Sequence, residues 1–255
     1  MTRPARPDAD SADRARRWRN ATQAAVCDVS VPWAHGTVVK ATRYPSYYDY
    51  NVVRVEESPE ISVEELIEVA DEALAGLAHR RVDFDVVDAA GPLRSGFEAR
   101  GWEATSLWWM RHERPLPAGA AIAVEEVDYD AVRDLRRTWH GEDFPGHDLG
   151  EHEREAREVA LAREAQVLAV SEAGTPVAFA QLERGDASAE ITQVYVHPDH
   201  RGKGRGTALT AAAVTAAGEV QDLWIVADAE DRPKQLYSRL GFRTAWTTIE
   251  FLRLP

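Results

Sequence analysis

At 255 residues, 44% of them hydrophobic, the chain is long enough for one large or two modest globular domains with buried cores. Its 43 acidic against 30 basic residues give a formal charge of -13. That balance argues against nucleic acid or an anionic membrane as a bulk partner and favours cationic small molecules. Cys27 is the only cysteine, which rules out an intramolecular disulfide and a cysteine-based metal cluster, and the expectation is that no metal is used. There is no signal-peptide-like apolar run near the start and no stretch of roughly 20 apolar residues, so a soluble, cytoplasmic protein is expected.

Residues 1–10, with two prolines among small polar residues, are expected to be disordered. From Ser11 to about Ala25 the spacing is helical, and "TVVKATRY" (37–44) and "NVVRVEE" (51–57) read as strands around the aromatic turn "YPSYYDY" (44–50). Residues 62–77 predict an amphipathic helix: Ser62 and Glu65 have capping-box spacing, and Leu66, Val69, Ala73 and Leu77 follow near helical intervals. "RVDFDVVD" (81–88) reads as a strand. "SGFEARGWEATSLWWMRH" then gives a short helix, a turn at Gly101 and a further strand.

"RPLPAGAA" (114–121) reads as a linker, dividing residues 11–117 from 118–255. The pattern then restarts with a strand (121–127), a helix begun by Asp128, and a charged helix over 148–165. "QVLAVSE" and "VAFAQLE" flank "AGTP", the signature of a two-strand hairpin. A strand over 189–196, an alanine-rich helix over 207–218, a strand over 222–228, a helix over 232–240 and a last strand from Thr244 complete the chain. Setting Gly101-Trp102 against Gly241-Phe242 aligns helix, glycine turn, aromatic and strand in each half, which argues for two copies of one α/β unit.

The densest chemical signal is "HRGKGRGTAL" (200–209), between a strand and a helix start. Main-chain N–H groups at a helix start lack intrahelical partners and lie at the positive end of the dipole, which makes an anion site. Gly202, Gly204 and Gly206 let a phosphate approach, while Arg201, Lys203 and Arg205 supply positive charge. The stretch lacks the Gly-Lys-Ser/Thr ending of a Walker loop. A dinucleotide fingerprint starting at Gly202 would need its third glycine at Thr207. A repeated RG-type nucleic-acid patch and a merely charged surface turn are the other readings.

"VYVHPDHRGKGRGTAL" resembles motif A of the GNAT acyltransferase superfamily, an Arg or Gln, two residues, Gly, one residue, then Gly or Ala, matched at Arg201, Gly204 and Gly206. "LYSRLGF" (236–242) is similar to the superfamily's later motif. The resemblance covers residues 121–255. It implies an α/β fold of two tandem GNAT-like domains, each a mixed, mostly antiparallel central sheet flanked by helices, with acyl-CoA inserted where two strands splay apart. The first half lacks the glycine loop and carries Phe97 where the second has Tyr237, so it reads as a degenerate copy.

For this chain the resemblance implies acetyl-CoA as cosubstrate. Its diphosphate would be held by Arg201, Gly202, Lys203, Gly204, Arg205, Gly206 and Thr207, and its acyl and pantetheine portions by the main chain of Val194, Tyr195 and Val196. Tyr237 is the implied general acid and Glu190 the implied base. Asp228 reads equally as an acceptor contact or a turn cap; His197 and His200 read as spacers or phosphate contacts. Asp148, Glu151, Glu153 and Glu155 read mainly as a solvated face. The expected activity is N-acetyl transfer to a primary amine of a small molecule or protein, by a monomer or homodimer. A non-catalytic acyl-CoA-binding protein is the alternative.

Overall fold

The computed structural model describes residues 9–117, 122–145 and 150–254. In chain order its elements are α1 (Ala9–Ala24), β1 (Val29–Trp33), β2 (Gly36–Lys40), β3 (Val52–Val55), α2 (Val63–Ala73), β4 (Arg80–Phe84), α3 (Val87–Ala90), α4 (Arg94–Glu98) and β5 (Glu103–His112). There follow β6 (Glu125–Val127), α5 (Arg133–Asp143), α6 (Gly150–Ala162), β7 (Gln166–Glu172), β8 (Thr175–Arg184), β9 (Ser188–Val196), α7 (Arg205–Ala217), β10 (Asp222–Asp228), α8 (Pro233–Arg239) and β11 (Phe242–Arg253). They form two compact α/β units. The first holds the chain up to Trp109 with Ala227–Asp231 and the segment from Thr244; the second holds Met110–Val226 and Arg232–Arg243. Packing is therefore not collinear with a division at 117/118. Of the linker, residues 118–121 lie outside the described residues, as do 1–8 of the expected disordered terminus; Ala9 and Asp10 are already helical.

In the first unit β2 pairs antiparallel with β1 and β3, β3 runs parallel to β4, and β4 pairs antiparallel with β11. Apolar residues alternating along these strands meet the apolar stripe of α2: Val53, Val55, Val82, Phe84, Ile249 and Phe251 pack on Leu66, Ala70 and Leu74. Strand β1, which the sequence pattern does not announce, sits at the sheet edge, where Pro32 is tolerated because its missing N–H would face solvent. The strand expected over 81–88 ends at Phe84. Val87–Ala90 are helical instead, drawn into the turns formed with Gly91 and Pro92.

In the second unit β6, β7, β8 and β9 form an antiparallel meander and β10 adds parallel to β9. Ala173 and Gly174, with φ of 50° and 80°, make the two-residue turn between β7 and β8. The two halves share one local device: Gly101 (φ 77°) and Gly241 (φ 98°) each turn a helix end into a strand. Phe97 lies 5.1 Å from Trp102 and Tyr237 6.3 Å from Phe242, both edge-on, so the same aromatic contact closes each turn. Among the described residues no helix is long and apolar enough to cross a membrane.

Candidate functional site

Strand β9 ends in a single helical turn, Pro198–His200, and the chain then reaches α7 through Gly202 (φ 77°) and Gly204 (φ 80°). Gly204 is the residue that enters the helix, in a left-handed conformation that disfavours any side chain. No side chain caps the helix start. Among the described residues the N–H groups from Gly202 to Thr207 find no main-chain acceptor; the first bond is Ala208 to the Gly204 carbonyl, 3.0 Å. These donors point out of the start of α7 at the positive end of its dipole, an arrangement that suits an anion. A Cβ on Gly206 would touch only Leu236 and Val196, at 3.5 and 3.7 Å.

The corresponding helix of the first unit is closed. Ser62 accepts the Glu65 N–H at 3.2 Å, and the Glu65 carboxylate receives the Ser62 N–H at 2.9 Å, so α2 carries its own anion where α7 has none. The hydrogen bonds from Ser62 hold the Glu65 carboxyl below the usual glutamate range.

The three cations of the loop differ from one another. Arg201 donates to the Val196 carbonyl at 2.9 Å and pairs with Glu142 at 2.7 Å. Arg205 donates to the His200 carbonyl at 2.9 Å and forms an ion pair with Glu172, which also lies 3.3 Å from His200. Lys203 is exposed. Two of the three cations are thus paired with carboxylates that the sequence pattern does not announce.

Beside this loop the sheet loses its regularity twice. Strand β9 is bulged: Phe179 faces Tyr195 and Gln181 faces Thr192, so Ala180 stands opposite two residues, Gln193 and Val194, with Gln193 at φ 52°. The parallel ladder with β10 also ends at Ile191 and Ile225, while β9 continues to Val196. Val194 and Val196 are half-buried on this stretch, which keeps its pairing with β8 alone. The Tyr195 side chain instead packs among Phe179, Leu135 and Trp139, and its hydroxyl donates to Glu142 at 2.9 Å. Burial and that carboxylate push the Tyr195 phenol up to about 12. Partial burial raises the Glu142 carboxyl, but the bonds from Arg201 and Tyr195 prevail and hold it low.

Tyr237 lies on α8, 6% exposed, one residue after the Leu236 that reaches Gly206. Glu190 is half-buried on β9, in register with Glu183 of β8 and Trp224 of β10. Asp228 accepts the Glu230 N–H at 2.7 Å, the turn-capping role. His197 Nδ1 accepts the Asp199 N–H at 3.4 Å. Of the acidic helix, Glu151 is exposed, Glu153 pairs with Arg137 at 3.0 Å and Glu155 is fully buried, contrary to a solvated face; Asp148 lies outside the described residues. The 44–50 aromatic segment folds on itself in the first unit, where the Asn51 amide donates to the Tyr44 and Tyr47 carbonyls at 2.8 and 2.9 Å. Among the described residues no group of three or more His, Cys, Asp or Glu side chains is gathered as a metal site.

Residues 163–244, which include the bulge, the glycine loop, α7 and Tyr237, match the family model described as an acetyltransferase (GNAT) domain. Among solved structures the chain is similar to a functionally unknown conserved protein from Staphylococcus epidermidis, 15% identical, with a TM-score of 0.68 over 88% of this chain and 92% of that one. It is also similar to GCN5-related N-acetyltransferases from Kribbella flavida (16% identical, TM-score 0.58, 94% of each chain) and from Sphaerobacter thermophilus (15%, 0.54, 86% of this chain and 80% of that one). At these identities the similarity is one of fold. No curated protein matches the sequence.

Proposed function

Because the chain carries a domain of the GNAT acetyltransferase superfamily across residues 163–244, we propose that its second unit is an acetyl-CoA-dependent N-acetyltransferase acting on a primary amine. The observation that carries the reading is the uncapped, glycine-entered start of α7 beside an end of β9 that is bulged and has left its ladder with β10. The N–H groups of Gly202 to Thr207 suit a diphosphate, and the main chain of Val194 to Val196, which pairs with β8 on one side only, suits the pantetheine arm and acyl carbonyl. In this reading acetyl-CoA, when bound, supplies the activated thioester.

The protein's part is to orient and to move protons. Glu190 takes the proton of the attacking amine, directly or through water; Tyr237 gives its hydroxyl proton to the departing thiolate. Bond formation from amine nitrogen to acyl carbon and loss of the C–S bond leave an amide and free CoA. The second unit is the active part, and the first is a scaffold whose corresponding helix start is occupied by Glu65. The acceptor is a small molecule or a protein amine, met in the cytoplasm by a monomer or homodimer without nucleic acid, membrane or metal.

The test is thiol release from acetyl-CoA across a panel of amines, for the natural protein and Tyr237→Phe. Amine-dependent release, reduced at least ~10-fold in the variant, supports the enzyme. Saturable CoA binding with no turnover on any amine replaces it by a non-catalytic acyl-CoA-binding protein.

A further inference from the structure

The conformation of Gln193 is one that an L residue keeps only where its surroundings over-determine it, and the surroundings here centre on one buried side chain. Arg136 of α5 is 4% exposed. Its guanidinium lies between two rings, 4.0 Å from the centroid of Tyr129 and 4.6 Å from that of Phe179. From there one arm donates to the Gln181 amide oxygen on β8 at 3.0 Å, and the other to the amide oxygen of Gln193 in the bulge of β9. Gln181 is itself fixed: its amide donates to Glu183 at 2.9 Å, and Glu183 receives Arg163 at 2.6 Å. Gln181 and Gln193 flank the point where the β8–β9 register shifts, so the planar fork of Arg136 spans the irregularity from both strands.

We infer that Arg136 is the positioning residue of the bulge: it sets the main-chain geometry at Gln193 and Val194, and through it the rate of acyl transfer, without touching the acyl donor. The inference rests on the acyltransferase reading for its effect on rate but not for its effect on the strand. A methionine in place of Arg136 fills the slot between the rings and removes both hydrogen bonds. The left-handed conformation at position 193 then loses its side-chain tether to α5. Glycine at 193 accepts that conformation without strain, so it offsets the loss.

The experiment compares the natural protein, Arg136→Met, Gln193→Gly and the double variant by hydrogen exchange over residues 188–196, CoA affinity by calorimetry, and amine-dependent turnover. Expected for Arg136→Met are faster exchange confined to the bulge, CoA affinity within ~3-fold, and kcat lowered by ~10-fold with little change in KM for acetyl-CoA; the double variant regains ~3-fold of the loss. Should Arg136→Met not fold, Gln193→Leu breaks the same bond from the other end and is read by the same three measurements. Unchanged exchange at the bulge, unchanged kcat, or a parallel loss of CoA affinity and thermal stability overturns the inference. A natural protein that binds CoA yet acetylates no amine overturns the enzyme reading alone, and the exchange data then decide whether Arg136 holds the strand.

Discussion

The carboxylate of Glu142 takes the Arg201 guanidinium at 2.7 Å, and thereby stands beside the glycine loop that leads into α7. Both side chains are partly exposed, so the pair contributes little to stability; its influence is on the local potential. Glu142→Gln removes one negative charge and releases Arg201. CoA binding measured by calorimetry at low salt is expected to tighten by ~3-fold, with the gain shrinking as salt rises. Weaker binding in the variant counts against an anion site at this loop.

Gly204 and Gly206 should respond differently to alanine. At Gly204 (φ 80°) a Cβ meets nothing closer than Ile122 at 3.6 Å, so the cost comes from the left-handed main chain and amounts to about 1 to 2 kcal/mol. Gly204→Ala therefore lowers the melting temperature and weakens CoA binding ~10-fold, because the donors around it are re-aimed. Gly206 carries no such φ and its Cβ would make ordinary contacts, so Gly206→Ala leaves stability and CoA binding nearly as they are. Paired thermal melts and calorimetry read both.

Ser62→Ala acts on the first unit alone. Losing the hydroxyl that accepts the Glu65 N–H costs roughly 1 kcal/mol in urea unfolding, without changing CoA affinity. A loss of CoA affinity would place a second anion site at α2.

A buried ion pair gives a larger effect. Arg19 meets Asp85 at 2.6 Å, with the Asp85 side chain wholly buried and the guanidinium 4.8 Å from the Trp246 ring. Arg19→Met takes the closest cation from the buried carboxylate and leaves it Arg16, at 3.0 Å, with Arg54 further off. The expected loss is about 3 kcal/mol of unfolding free energy in denaturant titrations.

Acid should destabilise both units through histidine. Burial lowers His79 and His140 from the ordinary 6.5 to about 4 each, against the Asn51 carbonyl bond at His79 and with help from His152 and Arg136 at His140. The unfolded chain binds these protons between about 6.5 and 4 and the folded one does not. Stability is therefore complete above that window and falls as pH drops through it, by a few kcal/mol. Urea midpoints across pH 4.5–7 for the natural protein and His79→Gln measure this, and the variant has the shallower dependence.

How much of this was legible beforehand depends on how far apart the partners lie in sequence. Gly202, Gly204 and Gly206 announce their loop because main-chain freedom is a local property, and Ser62 with Glu65 announces its cap for the same reason. Gly101 and Gly241 likewise fix two turns from a few neighbours each. The partners of Arg201 and Arg205 were not legible, because Glu142 and Glu172 arrive from other elements. Arg136, 57 residues from Gln193, looks like one of several surface arginines until tertiary packing slides it between two rings. Strand β1 was hidden by Pro32, a residue whose meaning changes at a sheet edge.

The central claim is that the start of α7 grips a diphosphate through its main chain. Backbone amide resonances of Gly202, Gly204 and Gly206, followed by NMR during titration with CoA and separately with pantetheine, test it most directly. The account predicts large saturable shifts at these amides with CoA, little change with pantetheine, and no response at Ser62 to Glu65 in the first unit. CoA binding that leaves those glycine amides unmoved would contradict it.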